Sequence, residues 1–259
     1  MAYDENNELR LAVLIDSDNV SHFYVKPMMA EVARYGRPTI KRIYGDWTRP
    51  NASGWKNVLL ENAITPIQQY QYTTGKNSTD STLIIDAMDL LYGGKVDGFC
   101  IVSSDSDFTR LVIRLREAGM KVIGFGEQKT PNPFIVACDR FVFLEILNRD
   151  AHSGDGEEVK IAQEAAKNSS PRKLPDSVIT LITDSVNAVA DEDGWAFLGD
   201  VGNLILRNQP SFDSRNYGYP KLTPLISATG VFDIDKRDTP SRGIKHIYIR
   251  DKNFGAQKK

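Results

Sequence analysis

Strand-like and helix-like segments alternate along the first 147 residues, and this alternation constrains the fold more than any other feature. The buried-strand pattern LRLAVLID is followed by the helical pattern KPMMAEVARYG, which ends at Gly36. Further strand patterns follow in TIKRIYGDW, TPIQQYQY, VDGFCIVSS, MKVIGFG and RFVFLE, each after a helical pattern. Such alternation predicts an α/β fold with a mostly parallel sheet and helices on both faces.

The composition changes between Asn148 and Leu174, where large apolar residues become rare and Gly, Ser, Pro and charged residues accumulate. This segment is typical of a linker. We therefore expect a first domain over 1–147, a linker over 148–174, a small second domain over 175–252 and a short tail over 253–259.

The overall charge gives little indication of a partner. The formal net charge is −2 and the pI is about 6.0, so nucleic-acid binding would have to rest on local patches. Cys100 and Cys138 stand apart in apolar runs, which predicts buried, reduced thiols and a cytoplasmic location. Since no apolar run approaches the roughly 20 residues that cross a bilayer, no membrane association is expected.

Carboxylates follow the predicted strands at the ends where parallel sheets bind ligands. Asp16 and Asn19 follow the first strand, Asp105 and Asp107 follow the fourth, and Asp80 lies in the first turn of the helix after the third. Crowded carboxylates repel one another unless a cation joins them, and oxygen ligands suit Mg²⁺ or Mn²⁺. The pattern predicts metal-assisted hydrolysis of a phosphodiester, although each Asp taken alone is also a common helix cap.

Two further acidic residues leave alternatives open. Asp18 makes an Asp-x-Asp pair with Asp16, as in phosphatases that use an aspartate nucleophile, but the first helix follows too soon for their cap insertion. Asp86 lies at the margin of the buried stripe of its helix, where a supporting role for the site is an alternative to a ligand role.

Basic and aromatic residues accompany the acidic ones. Trp47 and Arg49 follow the second strand, and Lys76 lies four residues before Asp80. Aromatic rings stack on unpaired bases and basic groups follow the phosphates, so these residues predict contact with single-stranded RNA. Packing in the core is the alternative for Trp47 and for Trp55.

The segments LAVLIDSDNV, KNSTDSTLIIDAMDLL and FCIVSSDSDFTRLVIRLREAGMKVIGFG resemble the NYN domain, a PIN-like nuclease fold, and its bacterial LabA-like branch in particular. The resemblance covers about residues 9 to 146. It implies a divalent-metal ribonuclease in which Asp16, Asp80, Asp105 and Asp107 bind the metal or orient water. Asn19 would orient Asp16 or the phosphate, and Ser104 would shape the turn at the RNA-binding surface.

The segment after residue 175 predicts three helices and a β-hairpin, which together make a winged helix. GWAFLGDVGNLILRNQPSFDSRNYGYPKLTPLI resembles a LOTUS domain, also called OST-HTH. That resemblance implies RNA binding for some members and protein docking for others. Tyr217 and Lys221 belong to the recognisable core, and we expect both, together with Arg215, to contact RNA. The basic residues that could flank Lys221 are Arg215, Arg237, Arg242, Lys245 and Arg250.

Together these features predict a Mg²⁺- or Mn²⁺-dependent endoribonuclease that a LOTUS domain directs to RNA, since tethering raises the local substrate concentration. The alternative is a non-catalytic RNA-binding regulator or scaffold with a nuclease-like fold. A protein partner for the LOTUS domain and the oligomeric state are left open by the sequence.

Overall fold

The computed structural model describes residues 8–48, 54–70, 78–151, 174–238 and 245–254. The chain divides into two compact units, 1–154 and 155–259, and each is treated separately below. Among the described residues, no helix has the length and apolar character needed to cross a membrane.

The first unit contains a six-stranded, fully parallel sheet, as the alternating sequence pattern predicts. Its spatial order is β3-β2-β1-β4-β5-β6. The strands are β1 (Arg10–Asp16), β2 (Arg37–Gly45), β3 (Thr65–Gln68), β4 (Gly98–Val102), β5 (Lys121–Gly126) and β6 (Arg140–Phe143).

Helices cover both faces of this sheet. They are α1 (Val25–Val32), α2 (Trp55–Glu61), α3 (Ser78–Tyr92), α4 (Thr109–Glu117), α5 (Asn132–Ala137) and α6 (Leu144–Ala151). Helix α6 extends four residues into the segment predicted to be a linker. Short 3₁₀ turns precede α1 and α4, at His22–Tyr24 and Ser106–Phe108.

Two separate hydrophobic cores result from the alternation of side chains along the strands. In β1, Val13 and Ile15 join the core beneath α1, α2 and α6, whereas Ala12 and Leu14 join the core beneath α3, α4 and α5. All of these β1 side chains are fully buried. Because both faces of β1 are covered, its sequence is an unbroken apolar run that ends at Asp16.

The second unit has its own core and combines three helices with a small antiparallel sheet. The helices are α7 (Asp176–Val189), α8 (Leu198–Asn208) and α9 (Leu222–Thr229), and the strands are β7 (Ala196–Phe197), β8 (Phe232–Asp238) and β9 (Lys245–Asp251). The pattern WAFLGDVGNLILRNQP predicts a second helix that includes Ala196 and Phe197, and this prediction is wrong for these two residues. These residues pair with Ile249 and Tyr248, which makes the sheet three-stranded.

Candidate metal centre and nucleic-acid surfaces

The strand order brings the first and fourth strands together at the centre of the sheet. From β1 the chain proceeds to β2 on one side, and from β4 it proceeds to β5 on the other. In open parallel sheets this reversal leaves a crevice at the carboxyl ends of the two central strands, where ligands bind. Asp16 ends β1, and Ser103 directly follows β4.

Asp16 is fully buried at this point, and three donors hold its carboxylate. Its Oδ1 accepts a hydrogen bond from the backbone N–H of Asp18 at 3.0 Å, and its Oδ2 accepts from Asn19 Nδ2 at 2.7 Å and from Ser103 Oγ at 2.8 Å. Burial nevertheless raises the pKa of Asp16 above its usual value, against the opposing effect of these hydrogen bonds.

The turn after β4 carries the next two carboxylates. Asp105 caps the 3₁₀ turn that follows it, because its Oδ1 accepts the backbone N–H of Asp107 at 2.9 Å. Helix capping, the alternative function considered for this residue, is therefore present for Asp105. Asp105 and Asp107 also take part in an acidic cluster with Asp80 of α3.

Asp80, Asp105 and Asp107 form this cluster. One carboxylate oxygen from each lies within 4.8 Å of the others, and the side chains range from half-buried to exposed. Burial, together with the negative charges of Asp16, Asp105, Asp107 and Asp18, raises the pKa of Asp80 to about 6. A cation placed among the three carboxylates would relieve this repulsion, and an all-oxygen donor set is the type that Mg²⁺ and Mn²⁺ prefer.

Ser103 links the two halves of the site, a role that sequence analysis did not assign. Its Oγ donates to Asp16 and accepts the backbone N–H of Asp105 at 3.1 Å. A serine two residues before an aspartate at the end of a strand is the local signal that could have indicated it. Ser104 faces the next loop instead, where its Oγ accepts the backbone N–H of Glu127 at 2.9 Å.

Gly45 allows the Asp16 turn to lie close against β2. A Cβ atom at this position would lie 2.0 Å from Ser17 Oγ and 3.2 Å from Ser17 Cβ, so even alanine would require the Ser17 hydroxyl to rotate away and its Cβ atom to move slightly. The backbone N–H of Ser17 also donates to the carbonyl of Tyr44 at 3.1 Å. The end of β2 therefore fixes the position of the turn that carries Asp16 and Asn19.

The two acidic residues with open roles differ in their surroundings. Asp18 is exposed and adds negative charge near Asp80. Asp86 points away from the cluster, since its carboxylate accepts hydrogen bonds from the Arg42 guanidinium and the Tyr44 hydroxyl. Asp86 therefore ties α3 to β2.

The predicted RNA-binding residues of the first unit are only partly accounted for. Arg49 and Lys76 lie outside the described residues. Trp47 is half-buried, and its indole N–H donates to the carbonyl of Ile67 at 3.0 Å. Its ring packs against the buried Trp55 with centroids 6.2 Å apart. These contacts agree with the packing alternative for both tryptophans.

In the second unit, Arg215 and Tyr217 are engaged in the fold. Arg215 makes a bidentate ion pair with Asp213, at 3.0 and 2.8 Å, and its side chain is 15% exposed. Tyr217 packs on Phe212, and burial raises its pKa. Lys221, by contrast, is exposed at the start of α9.

The outer face of the small sheet carries an aromatic and arginine layer that the sequence did not reveal. The Arg237 guanidinium lies 4.0 Å from the ring centroid of Tyr248 and 5.4 Å from that of Trp195. The Arg250 guanidinium lies 4.7 Å from the Trp195 ring. Phe197 adds a ring 5.7 Å from Tyr248. We call these five side chains the sheet-face layer.

Comparisons with known proteins agree with this architecture. The family model of the NYN domain matches residues 10–145, and that of the OST-HTH/LOTUS domain matches residues 169–244. No curated protein matches the chain.

Three solved structures are similar to parts of the chain. A protein of unknown function from Vibrio parahaemolyticus is 20% identical, with a TM-score of 0.46, over 54% of this chain and 94% of its own. An uncharacterized protein from Nitrosomonas europaea is 35% identical, with a TM-score of 0.28, over 33% of this chain and 82% of its own. A protein from Chromobacterium violaceum is 30% identical, with a TM-score of 0.25, over 32% and 87%.

The NYN match spans more than half of the chain and includes all of the clustered carboxylates. The fold is the parallel α/β fold of PIN-like nucleases, and a small LOTUS domain follows it. A nuclease-like NYN domain is thus followed by an OST-HTH/LOTUS domain, and the protein belongs to the NYN domain family.

Proposed function

We propose that the protein is a divalent-metal-dependent endoribonuclease that cuts single-stranded RNA and that its LOTUS domain binds RNA. The observation that carries the proposal is the convergence of Asp80, Asp105 and Asp107 within 4.8 Å at the carboxyl ends of the central strands. Few structural roles require three carboxylates so close together, because their mutual repulsion destabilises the fold.

The three clustered carboxylates would hold Mg²⁺ or Mn²⁺. When bound, such an ion supplies positive charge to a phosphodiester and increases the acidity of a water molecule. Asp16 adds a fourth negative charge, and its Oδ1 keeps one lone pair beyond the hydrogen bond from Asp18. The donor chemistry therefore fits the ion that the family implies.

The chain's own groups orient this site. Asn19 and Ser103 fix the Asp16 carboxylate, and Ser103 also fixes the backbone of Asp105. These hydrogen bonds come from the chain's own groups. They hold the carboxylates in one orientation, which reduces the reorganisation that catalysis would require.

The aspartate-nucleophile alternative is disfavoured by the surroundings of Asp16. A nucleophile must be reached by its substrate, whereas Asp16 has no exposed surface. Helix α1 also begins at Val25 after a single 3₁₀ turn, which leaves no room for a cap domain between β1 and α1.

RNA binding by the LOTUS domain is supported by the sheet-face layer. Rings and guanidinium planes are the groups on which unpaired bases stack. Arg237 and Arg250 are 40% and 37% exposed. Each also pairs with a carboxylate, Arg237 with Asp235 at 2.9 Å and Arg250 with Asp233 at 3.2 Å. RNA phosphates would therefore compete with these two carboxylates for the guanidinium groups. Protein docking at this face is the competing outcome, and it would leave RNA affinity unaffected by changes in the layer.

The test is cleavage of an end-labelled single-stranded RNA by the full-length protein with Mn²⁺, Mg²⁺ or EDTA. Asp105→Asn serves as the matched variant, since its amide oxygen can still cap the 3₁₀ turn. We expect internal cleavage that requires the metal and is lost in Asp105→Asn, while the unfolding temperature of the metal-free variant is no lower than that of wild type, because one of the repelling charges is removed. Tight RNA binding without cleavage in any metal would favour the non-catalytic scaffold instead.

A further inference from the structure

Four aromatic side chains form a continuous row that begins on the segment after Asp16. The ring centroids of Phe23 and His22 lie 4.2 Å apart, those of His22 and Trp55 lie 5.9 Å apart, and those of Trp55 and Trp47 lie 6.2 Å apart. The inner end is fixed, because Trp55 is 8% exposed and Trp47 donates its indole N–H to Ile67. The row thus provides a rigid support for its outer member.

Phe23, the outer member, is 70% exposed. Among the described Phe, Tyr and Trp side chains, Tyr70, Tyr92 and Phe254 are also exposed. Within the described part of the chain, Phe23 differs from these three because its ring packs on a neighbouring ring. An exposed aromatic ring that is held in place from behind loses little conformational entropy when another flat group stacks on it.

The position of Phe23 relates the row to the carboxylates. Asn19 donates to Asp16 at 2.7 Å, and Ser21 caps the 3₁₀ turn of Phe23 with its Oγ. Phe23 follows Asn19 by four residues, so the two Cα atoms are at most about 14 Å apart. Phe23 is thus held within a short stretch of chain from the residue that orients Asp16, which allows one RNA strand to contact both.

We infer that Phe23, supported by His22, stacks on an unpaired base of the RNA and so positions the neighbouring phosphate at the acidic cluster. This inference rests on the proposed ribonuclease function and names its substrate more closely. Stacking accepts any base, since every base has a π face, but a paired base inside a helix is not available to it. The substrate is then single-stranded at this nucleotide, without selection of its sequence.

Phe23 is accordingly a positioning residue, and Tyr92 offers a matched control. Tyr92 is 73% exposed, so its truncation removes a similar area of exposed ring. It ends α3, whereas Asp80 lies in the first turn of that 15-residue helix. At 1.5 Å per residue the two ends are about 20 Å apart, which places Tyr92 far from the acidic cluster.

The experiment compares full-length wild type, Phe23→Ala, Phe23→Tyr and Tyr92→Ala. RNA affinity is measured by fluorescence anisotropy in EDTA, and cleavage is measured with Mn²⁺. We expect Phe23→Ala to weaken binding by about 5- to 150-fold, the range for loss of one base stack. The KM should rise with little change in kcat, while Phe23→Tyr and Tyr92→Ala should behave as wild type.

Abasic substrates separate stacking from a structural effect. In an oligoribonucleotide made entirely of abasic nucleotides, wild type and Phe23→Ala should bind equally well, because no base is available to stack in any register. Unchanged affinity and KM of Phe23→Ala on intact RNA would overturn the inference. A penalty of Phe23→Ala that persists with the abasic RNA, or a wild type without affinity for intact RNA, would do the same.

The binding assay needs no turnover, and it therefore distinguishes failure of this inference from failure of the proposed function. RNA that is bound through Phe23 but not cut in any metal leaves the inference intact and removes the ribonuclease. If wild type and Phe23→Ala cut RNA equally well, the proposed ribonuclease function stands and the inference about Phe23 fails.

Discussion

Ser103 Oγ donates a hydrogen bond to Asp16 Oδ2 at 2.8 Å and at the same time accepts the backbone N–H of Asp105 at 3.1 Å. One hydroxyl group therefore sets both the carboxylate at the end of β1 and the turn after β4. We expect Ser103→Ala to lower cleavage by about 10- to 100-fold, as for groups that orient metal ligands. It should also lower the free energy of unfolding by about 1 to 3 kcal/mol, since a buried carboxylate loses a donor.

The matched control for this change is Ser106→Ala, which removes an exposed hydroxyl from the same turn. Cleavage rates and urea unfolding of both variants would be measured together. Equal effects of the two substitutions would contradict a specific role for Ser103.

The pKa of Asp80 gives a prediction for stability in the absence of metal. Its folded-state pKa is about 6 and its ordinary value is 3.8, so the folded state binds more protons between these values. Stability from this group is therefore present below about pH 4 and is lost as pH rises through 6. We expect Asp80→Asn to raise the unfolding temperature of metal-free protein at pH 7.5 and to abolish cleavage.

The same charges predict how metal affects stability. Added Mn²⁺ should raise the unfolding temperature of wild type more at pH 7.5 than at pH 5, because protonated Asp80 competes with the cation. Thermal unfolding with Mn²⁺ and with EDTA at both pH values tests this. An equal Mn²⁺ effect on wild type and Asp80→Asn would show that the ion binds elsewhere.

Substitution of Asp86 should lower the stability of the fold without changing the rate of RNA cleavage. Its carboxylate accepts hydrogen bonds from Arg42 and Tyr44 and is 20% exposed. We expect Asp86→Ala to lower the free energy of unfolding by about 1 to 3 kcal/mol, while cleavage per folded molecule stays near that of wild type below the unfolding transition. Loss of cleavage in a folded Asp86→Ala protein would instead assign it to the site.

The sheet-face layer predicts where the LOTUS domain contacts RNA. The double change Arg237→Gln with Arg250→Gln should weaken RNA binding by about tenfold and reduce the slope of log affinity against log salt by about 1. Lys236→Gln is the control, since Lys236 is an exposed cation between Asp235 and Arg237 whose side chain points to the other face of the strand. Equal losses in both proteins would indicate a general effect of charge.

The sequence predicts the parallel sheet well because strands that are buried on both faces consist of nearly continuous apolar residues. Strand β1 is an unbroken apolar run from Leu11 to Ile15, and the polar residues Arg10 and Asp16 stand at its two ends. The boundary between β7 and α8 is harder to predict from the sequence. Ala196 and Phe197 are as compatible with a helix as with a strand, and only their pairing with Ile249 and Tyr248, some 50 residues later, decides between the two.

In the candidate site, too, some features can be predicted from the sequence and others cannot. Strand ends identify Asp16, Asp105 and Asp107 as neighbours, because chain order and sheet topology are enough to bring them together. The bridging role of Ser103 depends on the spacing of β1 and β4, and the sequence does not contain that distance. Arg215 is predicted to contact RNA as a basic residue near Lys221, and its ion pair with Asp213, two residues before it, is a contact that the sequence pattern does not indicate.

Gly45 bears no reactive group and makes no contact that chemistry would require, yet a single methyl group there would lie 2.0 Å from Ser17 Oγ. Alanine at position 45 would require the Ser17 hydroxyl to rotate away and its Cβ atom, 3.2 Å distant, to move slightly, whereas a larger side chain would require the turn itself to move. A saturation-mutagenesis map of the chain would therefore show a limit on side-chain size at Gly45. That limit would be set by the space that the neighbouring turn occupies, and not by any chemistry of residue 45.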